Sequence, residues 1–279
     1  MLLGLLGALV AALAYGSATI MEAIGVRRLA DVPRDRPWQD RLRAGQLFGL
    51  GILLDALGFL ASAAALHDLP LFLVESAVAS AVAVTAVLAV FVLGARLRRA
   101  EIAALLVVGV GLVLLALTAQ GGPARHTGSL ASWMVLATVV PVGALAGGAL
   151  LDRHRGRSSV LLALASGAGF AMVGVAARMF EFRHPWWHSL ADPLVWTMVL
   201  QGVLSISAYG FALERGRTTT VAAITFGVET VLPALIGLSL LGDAVRPGLS
   251  VVAGLGFVAT LAGCIALASH TSPDAATEP

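Results

Sequence analysis

The chain has 279 residues, of which 58% are hydrophobic and 12% charged, with a formal net charge of +2 and a mean hydropathy of +0.92. So few charges cannot coat a water-soluble globule of this size, which leaves an integral membrane protein. All 18 basic residues are arginine, a compositional bias that gives no reason to invoke nucleic acid.

Nine apolar segments are long enough to cross the ~30 Å hydrocarbon core at about 1.5 Å per residue. They cover residues 2–24, 44–66, 70–93, 100–118, 129–150, 158–180, 193–213, 218–241 and 249–269. The expected fold is all-α, with about nine transmembrane helices. The first segment has no positively charged leader, and Arg27 and Arg28 follow it, so it reads as a retained helix with its N-terminus outside. Of the 18 arginines, 14 fall in the loops after helices one, three, five and seven, and four (Arg125, Arg178, Arg183 and Arg246) fall on the opposite side. The positive-inside rule then places the polar tail, residues 270–279, in the cytoplasm of a multi-pass cell-membrane protein. Residues 25–43 form the one long loop, rich in Arg, Asp and Pro, and Trp186 with Trp187 suits the headgroup layer. The single cysteine, Cys264, lies inside an apolar helix and reads as a small buried hydrophobe.

Two parts of the chain resemble each other. Leu93-Gly94-Ala95-Arg96-Leu97-Arg98 closes the third segment as Leu241-Gly242-Asp243-Ala244-Val245-Arg246 closes the eighth. Gly109 and Gly111 match Gly254 and Gly256, and Leu9 to Thr19 runs beside Leu162 to Met172. The organisation expected is a four-helix repeat over residues 1–118, a connecting helix over 129–150, and a second four-helix repeat over 158–269. An even-numbered unit returns the chain to its starting side, so the one extra helix inverts the second copy. Inverted repeats are a hallmark of secondary transporters.

The run from Leu69-Pro70 through Glu75 into the Arg96 turn, with the second copy's Pro233 and Leu241-Gly242-Asp243, resembles the drug/metabolite transporter (EamA-like) superfamily. In that family each half ends this helix in a Leu-Gly-Glu-like turn. The nine-helix count resembles the branch containing the NIPA-type magnesium transporters. The resemblance implies a transporter without naming its cargo.

Three carboxylates lie within the spans: Asp55, Glu75 and Glu229. An acid facing lipid costs about 2.5–3.5 kcal/mol on insertion scales, so each asks for a partner, a proton or water. Pro233, four residues after Glu229, frees a backbone carbonyl beside that acid. Gln201, Ser205 and Tyr209 are spaced four apart and share a helix face that should point inward. The expected substrate- or ion-binding set is Asp55, Glu75, Gln201, Tyr209 and Glu229. Asp55 and Glu229 would hold a cation, an amine or protons, Gln201 and Tyr209 would supply neutral hydrogen bonds, and Glu75 would guard the outer mouth. The plainer alternative pairs Glu229 with Arg178 or Thr225 as a packing device. Glu22 reads as an interfacial partner of Arg27 and Arg28, and Arg178 as an interface residue. The small faces of Gly4, Gly7, Gly143, Gly147, Gly167, Gly169, Gly254 and Gly256 read as close helix contacts.

No catalytic constellation, cofactor motif or Cys/His metal spacing is present, so an enzyme is not expected and no cofactor is called for. The partners expected are the lipid bilayer and a small-molecule or cation substrate, with oligomeric state left open. The reading is a secondary transporter, proton-coupled and working by alternating access. A magnesium or other divalent-cation carrier and a non-transporting membrane protein are the alternatives.

Overall fold

The structure, a computed structural model, describes residues 2–30, 45–93, 98–120, 122, 128–181, 186–216 and 218–270. Among them are nine helices long and apolar enough to cross a membrane, so the all-α membrane architecture holds. We label them α1 (Leu2–Ala30), α2 (Gln46–Asp68), α3 (Leu71–Ala79 and Ala81–Leu93) and α4 (Arg99–Thr118). Then come α5 (Ser129–Ala137 and Val139–Leu151), α6 (Arg155–Met179), α7 (Pro193–Arg215), α8 (Thr218–Ile236) and α9 (Ser250–His270). The first helix outruns the expected span and takes in residues 25–30 of the anticipated loop. The rest of that Arg-rich loop, the Gly94 to Leu97 turn, Arg125, Arg183 and residues 271–279 lie outside the described residues.

Three spans are interrupted where local chemistry competes with the helix. In α3 the Ser80 hydroxyl donates to the Ala77 carbonyl at 2.6 Å, while its N–H is shared between the Ser76 and Ala77 carbonyls at 3.1 Å each. That tight turn breaks the helix halfway. In α5 the Thr138 hydroxyl donates to the Val135 carbonyl at 2.5 Å, and Pro141 has no N–H to offer the Ala137 carbonyl one turn back. In α8, Pro233 lies inside the helix, which then widens into a π-helical turn at Gly237–Leu241. Gly242, at φ 78°, adopts the left-handed conformation that ends it.

The central element is α6. It is the most enclosed of the nine spans, because its Ala, Gly and Ser side chains allow neighbours to approach closely. It packs on α7 and α8 as α1 packs on α2 and α3, while α4 lies along α9 and α3 meets α8. The connecting helix α5 rests on α6 and α7. At Gly111 an added Cβ would sit 2.4 Å from Thr260 Oγ1 and 2.8 Å from the Gly256 carbonyl, so α4 and α9 touch backbone to backbone there. Gly4 and Gly7 likewise fit α1 against the end of α2, and Gly167 fits α6 against Thr225 and Val228 of α8. Gly147 and Gly254 face open space and Gly143 meets only a Leu204 methyl, so the contacts expected of those three do not form. Large apolar side chains such as Leu60, Leu106, Val203 and Leu255 point outward, as lipid contact requires.

Short backbone ladders tie helix ends together. Strand β1 (Ala119–Gln120), directly after α4, pairs antiparallel with β2 (Ala244–Val245), which follows α8. The Arg246 N–H donates to the Thr118 carbonyl at 2.8 Å, and the Gly122 N–H to the Asp68 carbonyl at 3.0 Å. The ends of α2, α4 and α8 therefore share one face of the bundle, as strict up-and-down crossing demands.

Candidate functional site

The acids inside the spans draw together two of the expected residues and one that sequence spacing did not single out. Glu75, on the first piece of α3, lies within electrostatic reach of Glu229 on α8. Both carboxylates are surrounded by protein yet keep part of their surface accessible, which is how a group lining an internal cleft behaves. Gly174 of α6 makes room for Glu75, because a Cβ there would stand 2.1 Å from Glu75 Oε1. Glu75, expected near a mouth, lies one turn into α3 from Leu71, where α3, α6 and α8 meet. Around it, the missing N–H of Pro233 leaves the Glu229 carbonyl without its helical partner.

Both tyrosines of the chain border these acids. Tyr209 of α7 lies within electrostatic reach of Glu229. Tyr15 of α1 lies within electrostatic reach of Glu75, Glu229 and Asp55, with Ser62 nearby. Ser62 in turn donates to the Phe59 carbonyl at 2.8 Å, and the Tyr15 ring lies flat on Gly58, 3.3 Å from where a Cβ would be. A tyrosine in mid-span was the signal available in the sequence for Tyr15, since phenol hydroxyls rarely enter hydrocarbon without a partner.

Asp55 lies near another acid. Glu22 of α1 reaches across to α2, its Cγ 2.4 Å from the Cβ position of Gly51, one turn before Asp55. Glu22, expected to serve Arg27 and Arg28 at the interface, extends across to α2 through the gap left by Gly51; the Arg27 side chain lies outside the described residues.

The stripe on α7 divides. Tyr209 joins the acids, whereas Gln201 and Ser205 are fully buried against Gly169 of α6. The Gln201 amide donates to Thr138 Oγ1 at the break in α5, at 3.0 Å. Gln201 Oε1 and Ser205 Oγ stay buried without a hydrogen-bond partner among the described residues, so this level of the α7 stripe faces the seam with α5 and α6 with polar atoms unused.

Arg178 pairs with Asp243 and not with Glu229. The Thr225 hydroxyl donates to the Ala163 carbonyl of α6 at 3.3 Å and likewise does not serve Glu229. The guanidinium of Arg178 is buried, not interfacial. Its Nη2 donates to Asp243 Oδ1 at 2.8 Å and to the Gly122 carbonyl at 2.9 Å, and its Nη1 donates to the Leu66 carbonyl. The second carboxylate oxygen of Asp243 accepts the Leu71 N–H at 2.6 Å. Sequence offered one signal for this pair: Arg178 is the arginine that falls inside an apolar segment.

Among the described residues, no three His, Cys, Asp or Glu side chains group closely enough to hold a metal ion. No protein-family model, curated protein or solved structure matches the chain.

Proposed function

We propose that the chain is a secondary transporter of the drug/metabolite type that moves a small solute or cation across the membrane by alternating access, coupled to protons. The observation that carries this reading is that Glu75 and Glu229, one from each group of four helices, lie within electrostatic reach of each other, with Tyr15 and Tyr209 within the same reach. Two acids flanked by aromatic hydroxyls suit an organic cation: the carboxylates balance its charge and the rings cover its apolar body. A magnesium ion would ask for more oxygens arranged octahedrally.

The helix pairing supports an inverted repeat. The set α1–α2, α1–α3 recurs as α6–α7, α6–α8, and α3–α8 and α4–α9 are the cross pairs that an in-plane twofold relating the halves would generate. In this reading α5 is the inverting connector, the Arg178 end faces outward by the arginine bias, and the membrane is the cell membrane. In this reading Glu22 and Asp55 supply the proton station.

Purified protein in liposomes tests the proposal. Addition of a lipophilic amine should drive proton movement in the wild type and fail to do so in Glu229→Gln. Asp55→Asn should retain amine binding but lose the coupled proton flux. Full activity in both variants, or magnesium flux in place of amine-driven flux, would refute it.

A further inference from the structure

The ion pair Arg178–Asp243 is among the most enclosed side-chain contacts in the molecule, with side-chain exposures of 2% and 0%. A charge pair so deeply withdrawn from water gives little net stability compared with apolar packing, while removal of one partner strands the other. Its location adds a reason for its presence. Arg178 lies one helical turn from Gly174 on α6, and Leu71, whose N–H Asp243 accepts, lies one turn from Glu75 on α3. Gly174 and Glu75 are themselves in contact. The ion pair is therefore stacked directly over the Glu75 carboxylate, on the side where α2, α4 and α8 end.

The pair also joins the two groups of helices. Both charges belong to the second group or its turn, and the backbone atoms they grip, at Leu66, Leu71 and Gly122, belong to the first. The π-helical turn aims Asp243 across the gap, and Gly237 gives it space, since a Cβ there would stand 2.3 Å from Asp243 Oδ2. Beyond the Ser80 break the packing changes. Helix α8 packs extensively on Leu71–Ala79, whereas Ala81–Leu93 packs on α1 and α9. Arg178 Nε, buried and without a partner, shows that the guanidinium's hydrogen bonding is incomplete even in this closed arrangement.

From this geometry we infer that the Arg178–Asp243 pair is a latch that closes one face of the bundle over Glu75 and must part for that carboxylate to be reached from that face. The inference rests on reading Glu75 and Glu229 as the substrate site, and it adds the device that controls access to them. Separation would turn on the Ser80 break, with the Leu71–Ala79 piece released from α8.

The test uses the full chain in lipid nanodiscs, with Cys264→Ala as background and spin labels at exposed His67 and Leu190, which flank the pair on opposite groups of helices. Arg178→Gln and Asp243→Asn should each raise the long-distance population about tenfold, the shift expected when a charge-assisted hydrogen bond is lost. Arg178→Lys, which keeps the charge but not the fork, should fall between them and the wild type. Unchanged distances in folded variants, or loss of folded protein in all three without a long-distance component, would overturn the latch and leave a structural knot. Glu75→Gln should leave the distances unaltered while abolishing amine-driven flux, so failure of the site and failure of the latch give different results.

Discussion

At the end of α6 that carries Arg178, one guanidinium gathers the ends of α2 and α6, the turn after α8, and through Asp243 the start of α3. At the opposite end of α6, Arg215 of α7 uses one nitrogen to hold the Ala149 and Leu150 carbonyls, at 3.3 and 3.1 Å, and the Ser158 hydroxyl, at 2.7 Å. Arg215 sits where the backbone dipole of α5 ends negatively, a favourable place for a cation. Its contacts all lie within α5, α6 and α7. The first arginine crosses between the two groups of helices, and the second ties the connecting helix α5 to the second group. The same chemistry, an arginine on helix-end carbonyls, thus spans the two groups at one end and ties the connecting helix to one of them at the other.

Breaking each knot measures that difference. Arg178→Ala should be the most damaging change, lowering stability by about 3–5 kcal/mol because Asp243 is left buried and uncompensated; thermal unfolding in detergent micelles reads it. Gly111→Ala comes next, with a loss of about 1–3 kcal/mol, because the new methyl meets Gly256 backbone and Thr260 and cannot relax as it would against a flexible side-chain end. Arg215→Ala should cost about 1–2 kcal/mol in the same assay, since water can replace a half-exposed guanidinium at a helix end. If Arg215→Ala equals Arg178→Ala, the two ends are not distinct. Gly174→Ala should change stability by less than about 1 kcal/mol, because the atom it meets is the mobile tip of Glu75, yet reduce amine-driven flux about tenfold by displacing that carboxylate. Smallest of all, Gly109→Ala faces open space on α4 and should be neutral or stabilise by up to about 1 kcal/mol through helix propensity.

Much of the site was visible in the residues. Glu75 and Glu229 stand out because an acid in a 20-residue apolar run has few bland explanations, and Pro233 marks the loosened backbone beside Glu229. What hid the rest was distance along the chain. Arg178 and Asp243 are separated by 65 residues, and the missing side chain at Gly51 lets Glu22 reach across to α2, one turn from Asp55. The α7 stripe shows the limit of spacing arguments. Gln201, Ser205 and Tyr209 share a face, but that face passes from the α5–α6 seam to the acid cluster along its length, so one periodicity serves two surroundings. The break at Ser80 was also unannounced, because a serine in an apolar helix either bonds back to the preceding turn or bends the chain, and neighbours settle which.

Composition and hydrophobic length fixed the class, the number of crossings and the presence of costly acids, since burying apolar side chains in lipid depends on each segment alone. Which acids meet, which arginine is buried and where one group of helices grips the other were decided by packing. Those contacts depend on glycines and helix breaks that bring remote segments to within a few ångströms, and no single segment carries that information.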